Sequence, residues 1–462
     1  MKEKVQKRNL AFFSHQQYII AYVRKRGNQN QGNEEKIMII LKSGTMIDPK
    51  SEFIGKRDIA IEGERIVKIA EDIPVTETDT VYDCTDKYIG PGLVDVHVHF
   101  RDPGFTYKED ILSGAKAAAK GGVTSVILMA NTKPAVDNAE TIQYIIEKGK
   151  QTGLHIYTCA NVTKGMQGKE LNDFDSLLEA GAIGFTDDGV PLLSEELVLG
   201  AMEEAVKTDS VLSFHEEDPQ YIVNNGINKG KASSYYGIGG SDRQAEISMV
   251  KRDLELALKT GAKVNFQHLS TKEAVELIRE AKKSLEGKNI HAEATPHHIA
   301  LTEDAAIEYG TLGKMNPPLR TEEDRQAIID GLLDGTIDLI ATDHAPHSEE
   351  EKNKAITDAP SGILGLETMF AIVHEELILK KNMDYLQLFC KISYNPARMY
   401  GINAGELAEN KTADLVVFDP KREWKIDKFL SKSQNAPFKN KNLKGKIELT
   451  VANGVVQYCD WK

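Results

Sequence analysis

Cysteine is scarce in this sequence. Its 462 residues include only Cys84, Cys159, Cys390 and Cys459, and no two of them form a Cys-x-x-Cys pair. This spacing argues against a disulfide framework and against a cysteine-based zinc ribbon. It agrees with a reducing compartment, so we expect a cytoplasmic protein.

Long apolar runs and an excess of positive charge are also missing. No stretch approaches the ~20 apolar residues that a membrane-spanning helix needs. The chain has 57 Lys and Arg against 70 Asp and Glu, which gives a net charge of −13. Such an acidic chain is a poor candidate for binding nucleic acid or an anionic membrane, so we expect neither as a partner.

The first 37 residues differ in composition from the rest of the chain. They are basic and then polar, and His15, Gln16 and Gln17 interrupt their only apolar run. We find neither the unbroken apolar core nor the small-residue cleavage site of a secretory signal. Composition predicts a disordered extension over 1–37, and a start of translation at Met38 is the alternative.

The two ends of the remaining chain resemble each other. Residues 38–90 and 404–462 contain short, alternating apolar stretches that are separated by Gly and Asp turns. Such stretches are typical of short antiparallel strands. We expect both terminal segments to form one small β-sandwich domain around a different middle.

The middle, residues 91–403, alternates apolar strands with helical segments. Near-continuous apolar strands that are joined by helical crossovers predict a parallel sheet buried on both faces. Eight such units predict an α/β fold, a (β/α)8 TIM-like barrel. The predicted strands are 93–100, 124–131, 155–162, 182–189, 211–217, 263–270, 290–298 and 337–347.

Polar side chains cluster at the ends of these strands, where barrels of this kind have their active sites. Side chains alternate along a strand, so Asp95, His97 and His99 point the same way, into the barrel mouth. Four further strand ends contribute Asp187 and Asp188, His215, His268, and Asp343.

Imidazoles and carboxylates are the ligands that zinc and similar divalent metals take. Four histidines and two aspartates exceed the three protein ligands of one catalytic zinc, and they suit two metals ~3.5–4 Å apart. Each residue alone has a plainer interpretation, because strand histidines are often structural and strand-end aspartates often cap helices. A polar mouth without metal is therefore the alternative, but the agreement of five strand ends favours a metal centre.

Several motifs resemble those of a known family. The stretch GPGLVDVHVHFRDPG at 90–104 is similar to the first-strand signature of the amidohydrolase superfamily, and of its dihydroorotases in particular. Further matches are GFTDDG (184–189), QHLST (267–271), ATPHH (294–298), KMNPPLR (314–320), ATDHAPH (341–347) and PSGILGLET (360–368). Hydantoinases, allantoinases and the other dihydroorotase class have a carboxylated lysine where this chain has GFTDDG, so the resemblance is to class I dihydroorotases.

The resemblance implies a set of metal ligands. His97, His99 and Asp343 would hold one ion, and His215 and His268 would hold the other. One aspartate of the DDG motif would bridge them; Asp188 is preferred because of its spacing to His215, and Asp187 is the alternative. Two zinc ions per subunit are expected.

The resemblance also implies substrate contacts. Arg101, Asn131 and Asn316 would touch the substrate, with His347 and the Ser361–Gly362 backbone closing over it. The acidic composition of the segment after Asp343, residues 344–362, separately suggests a mobile loop that closes over substrate, and a plain solvated surface loop is the alternative.

The reaction that the resemblance implies is the reversible cyclisation of N-carbamoyl-L-aspartate to L-dihydroorotate, a step of pyrimidine synthesis. A metal-bridged hydroxide would attack the ring carbonyl, and Asp343 would pass its proton to the leaving nitrogen. The guanidinium of Arg101 would bind the ring carboxylate through two hydrogen bonds. A salt bridge to Asp102 or Glu109 is the alternative role for Arg101.

Two other functions stay open at this point. A hydantoinase or allantoinase would share the fold and the histidines, although the bridging lysine is missing and Arg101 is present. A non-catalytic, dihydroorotase-like partner of aspartate transcarbamoylase would have lost some of the histidines, whereas all six candidate ligands are here. A homodimer, or an assembly with aspartate transcarbamoylase, is expected from the resemblance alone.

Overall fold

A computed structural model describes residues 38–461 of the chain. The extension predicted at residues 1–37 lies outside the described residues. The strands of the described part are β1 Ile39–Asp48, β2 Phe53–Glu62, β3 Arg65–Ala70, β4 Thr80–Asp83, β5 Tyr88–Pro91, β6 Leu93–Val98, β7 Val123–Leu128, β8 His155–Thr158, β9 Val211–Phe214, β10 Lys263–Phe266, β11 Ile290–Ala294, β12 Leu339–Ile340, β13 Leu415–Lys425, β14 Asn442–Ala452 and β15 Val455–Cys459.

Helices connect most of the strands of the middle part. The α-helices of the described residues are α1 Ile111–Lys120, α2 Ala139–Gly149, α3 Phe174–Glu179, α4 Glu195–Thr208, α5 Lys231–Tyr236, α6 Gln244–Thr260, α7 Lys272–Ala281, α8 Pro296–Ala300, α9 Asp304–Tyr309, α10 Glu322–Asp334, α11 Glu349–Lys352, α12 Met369–Val373, α13 Tyr385–Phe389 and α14 Asn395–Met399. Shorter 3-10 segments are Lys164–Met166, Pro219–Tyr221, Glu286–Asn289 and Gly310–Gly313, and π-helical segments are His374–Leu379 and Cys390–Tyr394. Within residues 38–461, no helix is long and apolar enough to cross a membrane.

Strands from both ends of the described chain share one sheet. Its order is β15-β14-β13-β5-β1-β2-β3, and β4 pairs with β1. The two ends meet where β13 runs antiparallel to β5, with Leu415 opposite Pro91. Buried side chains such as Leu41, Ile59 and Leu449 give this sheet an apolar core of its own. The predicted β-rich domain of both terminal segments is confirmed, while its limits at 38–90 and 404–462 stay a prediction.

The middle of the chain forms a closed ring of eight strand positions. Strands β6 to β8 and strands β9 to β12 pair in parallel within two sheets. The chain at 182–186 joins them, because the Ala160 amide donates to the Gly184 carbonyl and the Phe185 amide donates to the Val211 carbonyl, both at 2.9 Å. On the other side, the His99 amide donates to the His344 carbonyl at 2.8 Å.

Two of the eight predicted strands are much shorter than expected. The stretch 182–189 pairs only through isolated bridges, and β12 has two residues. Side chains take over the backbone hydrogen bonds at these places. The Asp188 amide donates to the Thr186 hydroxyl at 3.0 Å, and the Thr342 amide donates to the Asp95 carboxylate at 3.1 Å. Regular pairing therefore stops where the polar residues of the barrel mouth begin.

Helix α7 illustrates how the outer layer packs on the barrel. The Thr271 hydroxyl accepts from the Ala274 amide at 3.3 Å and caps the first turn. The buried residues of α7 are Ala274, Val275, Ile278 and Ala281. Positions three or four apart lie on one face of a helix, and this face meets the core. Full burial of a side chain such as Ile278 stabilises the fold by roughly 1.5–3 kcal/mol.

A partly buried ion pair links the barrel to the β-rich sheet. His155, the first residue of β8, donates from Nε2 to the Asp414 carboxylate at 2.9 Å. Asp414 also accepts from the Asn453 amide at 2.9 Å. Burial lowers the pKa of His155, but the hydrogen bond and charge of Asp414 outweigh it and raise that pKa above its usual value.

Replacing this aspartate should cost stability mainly at low pH. Because the pKa of His155 is raised in the folded protein, the pair stabilises the fold below pH ~6.5 and loses this effect as the pH rises through the folded pKa. Asp414→Asn keeps an acceptor for Asn453 but loses the charge. We expect a loss of about 1–3 kcal/mol near pH 5.5 and a smaller loss near pH 9 in urea unfolding.

His155→Gln is the matched variant, and its stability deficit should follow the same pH dependence. Equal destabilisation by Asp414→Asn at both pH values would contradict the assignment.

Candidate active site

The end of β6 places two histidines in the barrel mouth, as the period of a strand predicts. The His97 side chain is fully buried, and that of His99 is 5% exposed. His97 Nδ1 lies 2.8 Å from the Glu293 carboxylate, and His99 Nδ1 lies 2.9 Å from the amide oxygen of Asn131. Both partners are acceptors, so each Nδ1 carries the hydrogen and each Nε2 faces the barrel axis with its lone pair.

The Asp188 carboxylate lies among the imidazoles. Its Oδ1 is 3.5 Å from His97 Nε2 and 3.6 Å from both His215 Nδ1 and His268 Nε2. Its Oδ2 is 3.4 Å from His99 Nε2. Burial would raise the pKa of Asp188, but the neighbouring histidines hold it well below its usual range. A single carboxylate therefore faces histidines from three strand ends.

Asp187 points elsewhere. Its carboxylate accepts hydrogen bonds from the Val162 amide at 2.9 Å, the Asn161 side chain at 3.2 Å and the Thr163 amide and hydroxyl. These contacts hold the chain after β8 against the DDG turn. The two aspartates left open by the sequence thus have different surroundings, and only Asp188 is close to the histidines.

Asp343 completes the cluster from the opposite side. Its Oδ1 lies 3.0 Å from His99 Nε2 and 3.6 Å from His97 Nε2. Burial would raise its pKa, but His97 and His99 lower it. Asp343 and His268 have positive φ angles of 47° and 33°, and such strained backbone is typical of functional sites.

These donors fit a metal centre. The donor atoms of His97, Asp188 and His268 lie within 4.8 Å of one another, as do those of His97, His99 and Asp343. His97 Nε2 is buried and has no hydrogen-bond partner. Ligands about 2.1 Å from one tetrahedral ion are roughly 3.4 Å apart, close to the observed spacings. A lone pair that faces two carboxylates is repelled unless a cation lies between them.

Glu293 supports both groups of donors, and the sequence analysis missed it. Besides its contact with His97, its Oε1 accepts from the His268 amide at 3.2 Å, and its Oε2 accepts from the Asn265 side chain at 3.1 Å. Glu293 is fully buried on β11. A fully buried position that carries an acidic residue between two alanines of a strand, Ala292 and Ala294, was the signal that could have identified it.

A cavity of about 110 Å³ opens beside the cluster. It brings most of the predicted substrate residues together with the predicted ligands. Its lining includes His99, Arg101, Asn131, Asp188, His215, His268, Asn316, Asp343, Ser361 and Gly362, together with Gly189 and Ala345, which the sequence analysis did not single out.

His97 and His347 are not part of this lining. His97 lies beneath it, while His347 lies behind Arg101, with 3.4 Å between His347 Nε2 and Arg101 Nη2.

The side chains of Asn131 and Asn316 lie beside the histidine–aspartate cluster. The Asn131 side chain donates to the Asp188 carbonyl at 3.2 Å, and Asn316 Nδ2 lies 3.3 Å from His215 Nε2.

The Arg101 guanidinium has no acidic partner. Among residues 38–461, no carboxylate oxygen lies within 4.0 Å of it, and its contacts are the Pro346 carbonyl and His347, each at 3.4 Å. The two candidate salt-bridge partners are engaged elsewhere: Asp102 pairs with Lys148 at 2.6 Å, and Glu109 binds the Ser431 hydroxyl. This leaves a cation at the cavity that can bind a ligand anion.

Most of the described chain matches the profile of a known family. The profile of the amidohydrolase family matches residues 88–456. The chain belongs to the amidohydrolase family. Members of this family are metal-dependent, in agreement with the donor groups above.

Curated relatives with high sequence identity show which members of the family this chain resembles. The chain is 50% identical over 421 residues to a dihydroorotase of Clostridioides difficile (strain 630), which covers 91% of this chain and 100% of the relative. It is 46% identical to a dihydroorotase of Clostridium acetobutylicum, over 92% and 100%. The resemblance to dihydroorotases that the motifs indicated is confirmed.

Solved structures confirm the fold class. An L-hydantoinase from Arthrobacter aurescens has a TM-score of 0.81 at 24% identity, over 92% of this chain and 96% of that one. A D-hydantoinase from Thermus sp. has a TM-score of 0.79 at 23% identity, over 91% and 95%. At these identities the likeness concerns the fold alone.

Removing the charge of Glu293 should weaken metal binding. Glu293→Gln keeps the size of the side chain but no longer offers a carboxylate to His97 and to the His268 amide. Changes of this kind lower metal affinity about 10–100-fold. The measurement is the metal content of purified protein after dialysis against graded chelator concentrations.

Glu367→Gln is the control, because Glu367 is also a buried carboxylate but contacts Lys120 and the Leu430 amide instead. Metal retention by Glu293→Gln equal to that of the wild type would contradict the supporting role.

Proposed function

We propose that this protein is a dihydroorotase, which interconverts N-carbamoyl-L-aspartate and L-dihydroorotate. The observation that carries the proposal is the unpaired Arg101 guanidinium at a cavity that also contains the histidine–aspartate cluster. Dihydroorotate has one ring carboxylate next to a cyclic amide, so it needs both an anion-binding group and a centre for amide hydrolysis. The dihydroorotases at 44–50% identity support the same activity.

The ligand assignment is part of this proposal. His97, His99 and Asp343 would hold one ion, His215 and His268 the other, and Asp188 would bridge them. Two zinc ions suit this set of imidazoles and carboxylates. Bound divalent ions supply a nucleophile at neutral pH and polarise the ring carbonyl.

Asp343 is the proton carrier in this proposal. Its Oδ1 faces His99 and His97, so Oδ2 is the atom that exchanges protons. In the hydrolytic direction, Asp343 takes a proton from the attacking water and gives it to the leaving ring nitrogen. In the cyclising direction it returns that proton.

Arg101 and the loop at Ser361 and Gly362 would orient the substrate. The guanidinium fork binds the ring carboxylate, and the backbone of the loop forms the facing wall. Gly362 has φ +136°, and a Cβ at this position would lie 2.8 Å from the Ala345 carbonyl oxygen. A side chain therefore cannot be added there without moving the wall.

Neither alternative function has a specific observation in its favour. The solved hydantoinases share the fold, but an aspartate, Asp188, lies at the centre of this cluster. A non-catalytic partner of aspartate transcarbamoylase would not need the complete donor set that is present here.

The proposal extends to the setting of the enzyme. We propose a cytoplasmic location, which the free thiols of all four cysteines support. A homodimer, or an assembly with aspartate transcarbamoylase, is proposed from the resemblance to class I dihydroorotases.

The first test is an assay of dihydroorotate hydrolysis with metal-quantified protein. The wild type should hydrolyse dihydroorotate but not hydantoin or allantoin. His97→Ala should lose bound metal and at least ~10³-fold of the activity, because it removes a predicted metal ligand. Arg101→Met should keep its metal but lose about 10²-fold in kcat/KM, since a charged anchor is removed.

Turnover of hydantoin instead of dihydroorotate would move the assignment to another cyclic amide. A metal-free, inactive wild type would favour the non-catalytic function.

The position of equilibrium should depend on pH. Cyclisation consumes one proton, because a dianionic acid becomes a monoanionic ring. The ratio of dihydroorotate to N-carbamoyl-L-aspartate at equilibrium should therefore fall about tenfold per pH unit. Chromatography of reactions started from either side gives this ratio, and a ratio that does not change with pH would rule out the assigned reaction.

A further inference from the structure

Two buried lysines lie beneath the loop that forms one wall of the cavity. Lys352 ends α11 and Lys314 follows the 3-10 segment Gly310–Gly313, and each residue is only 4% exposed. The chain at 354–362 follows Lys352 and ends at the cavity-lining Ser361 and Gly362.

Both ammonium groups bind this loop through its main chain. Lys352 Nζ donates to the Pro360 carbonyl at 2.9 Å and to the Gly362 carbonyl at 3.2 Å. Lys314 Nζ donates to the carbonyls of Ile356 and Ala359, both at 2.7 Å. The two side chains together hold the beginning and the end of the loop.

These lysines are not paired with acids. Within the described part of the chain, no carboxylate oxygen lies within 4.0 Å of either Nζ, and main-chain carbonyls are their acceptors. Burial, together with the charge of Lys314, lowers the pKa of Lys352 to about 7, and burial lowers that of Lys314. Burying such groups is costly, so they do not serve as simple packing. Their hydrogen bonds fix the main-chain conformation of the loop.

The loop ends at Gly362, in the wall of the cavity. The Gly362 carbonyl also accepts from the Asn435 side chain at 3.1 Å, and the Gly362 amide donates to the Lys314 carbonyl at 3.0 Å. Both polar main-chain atoms of Gly362 are thus held by the same small group of residues. A shift of the loop would move Ser361 and Gly362 relative to Arg101 across the cavity.

We propose that Lys314 and Lys352 are positioning residues that hold the loop 356–362 against the substrate cavity and thereby set substrate affinity. This proposal rests on the proposed function, because it takes the cavity to be the dihydroorotate site. The two lysines do not touch the substrate; they act through the backbone of Ser361 and Gly362.

The test uses the metal-loaded, full-length enzyme with Lys352→Met and Lys314→Met. Methionine keeps an unbranched apolar side chain that ends one atom short of the lysine Nζ, and it donates no hydrogen bond. We expect KM for dihydroorotate to rise about tenfold, while kcat changes less than about threefold, because the wall moves and the metal centre does not. Hydrogen exchange of the amides at 356–362 should increase at least several-fold.

Lys391→Met is the matched control. Lys391 is a buried lysine that also donates to a main-chain carbonyl, that of Ile337, which is not among the residues lining the cavity. This variant should leave KM and the exchange of 356–362 unchanged, even if it lowers the melting temperature.

Each outcome decides the proposal. Unchanged KM and unchanged exchange in both loop variants would overturn it. A rise in KM and a gain in exchange that Lys391→Met reproduces would also overturn it. If Lys352→Met does not fold, Lys314→Met gives the same readouts. A wild type without dihydroorotase activity would refute the proposed function, whereas the exchange data would still report on the loop.

Discussion

The Asp188 carboxylate and the imidazoles around it form the interaction on which the rest of the structure depends. Its oxygens lie 3.4–3.6 Å from nitrogens of His97, His99, His215 and His268, all of them buried. No local stretch of chain can create such a group, since its members come from strands far apart in sequence. The closed ring of strands is what brings them together. Regular strand pairing in this ring ends where these side chains begin, so the backbone around the site is irregular.

A second layer of acceptors fixes three of these rings. Glu293 holds His97, Asn131 holds His99, and Glu217 lies 3.2 Å from His215 Nε2. Each acceptor determines which ring nitrogen carries the hydrogen and therefore which one is left for a cation. His268 and Asp343 have left-handed backbone, a conformation that persists in non-glycine residues where the surrounding structure fixes it.

Much of this site could be predicted from the sequence, for reasons that differ between residues. His97 and His99 follow from the period of a strand, and the placement of His215, His268 and Asp343 follows from the common edge of a parallel ring. The choice between Asp187 and Asp188 could not be made, because it depends on the turn that gives Asp187 the amides of Val162 and Thr163. Glu293 escaped notice because its partners lie on other strands.

The antiparallel pairing of β5 with β13 has a consequence for how the protein is made. Leu415 leaves the ribosome 324 residues after Pro91, its partner in the sheet. At translation rates of about 5–20 residues per second, the edge of β5 stays unpaired for on the order of 15–65 s until β13 has been synthesised. An unpaired edge of this kind invites pairing with other chains. The nascent protein therefore has an open strand edge throughout the synthesis of the barrel segment, and β13 is the strand that covers this edge.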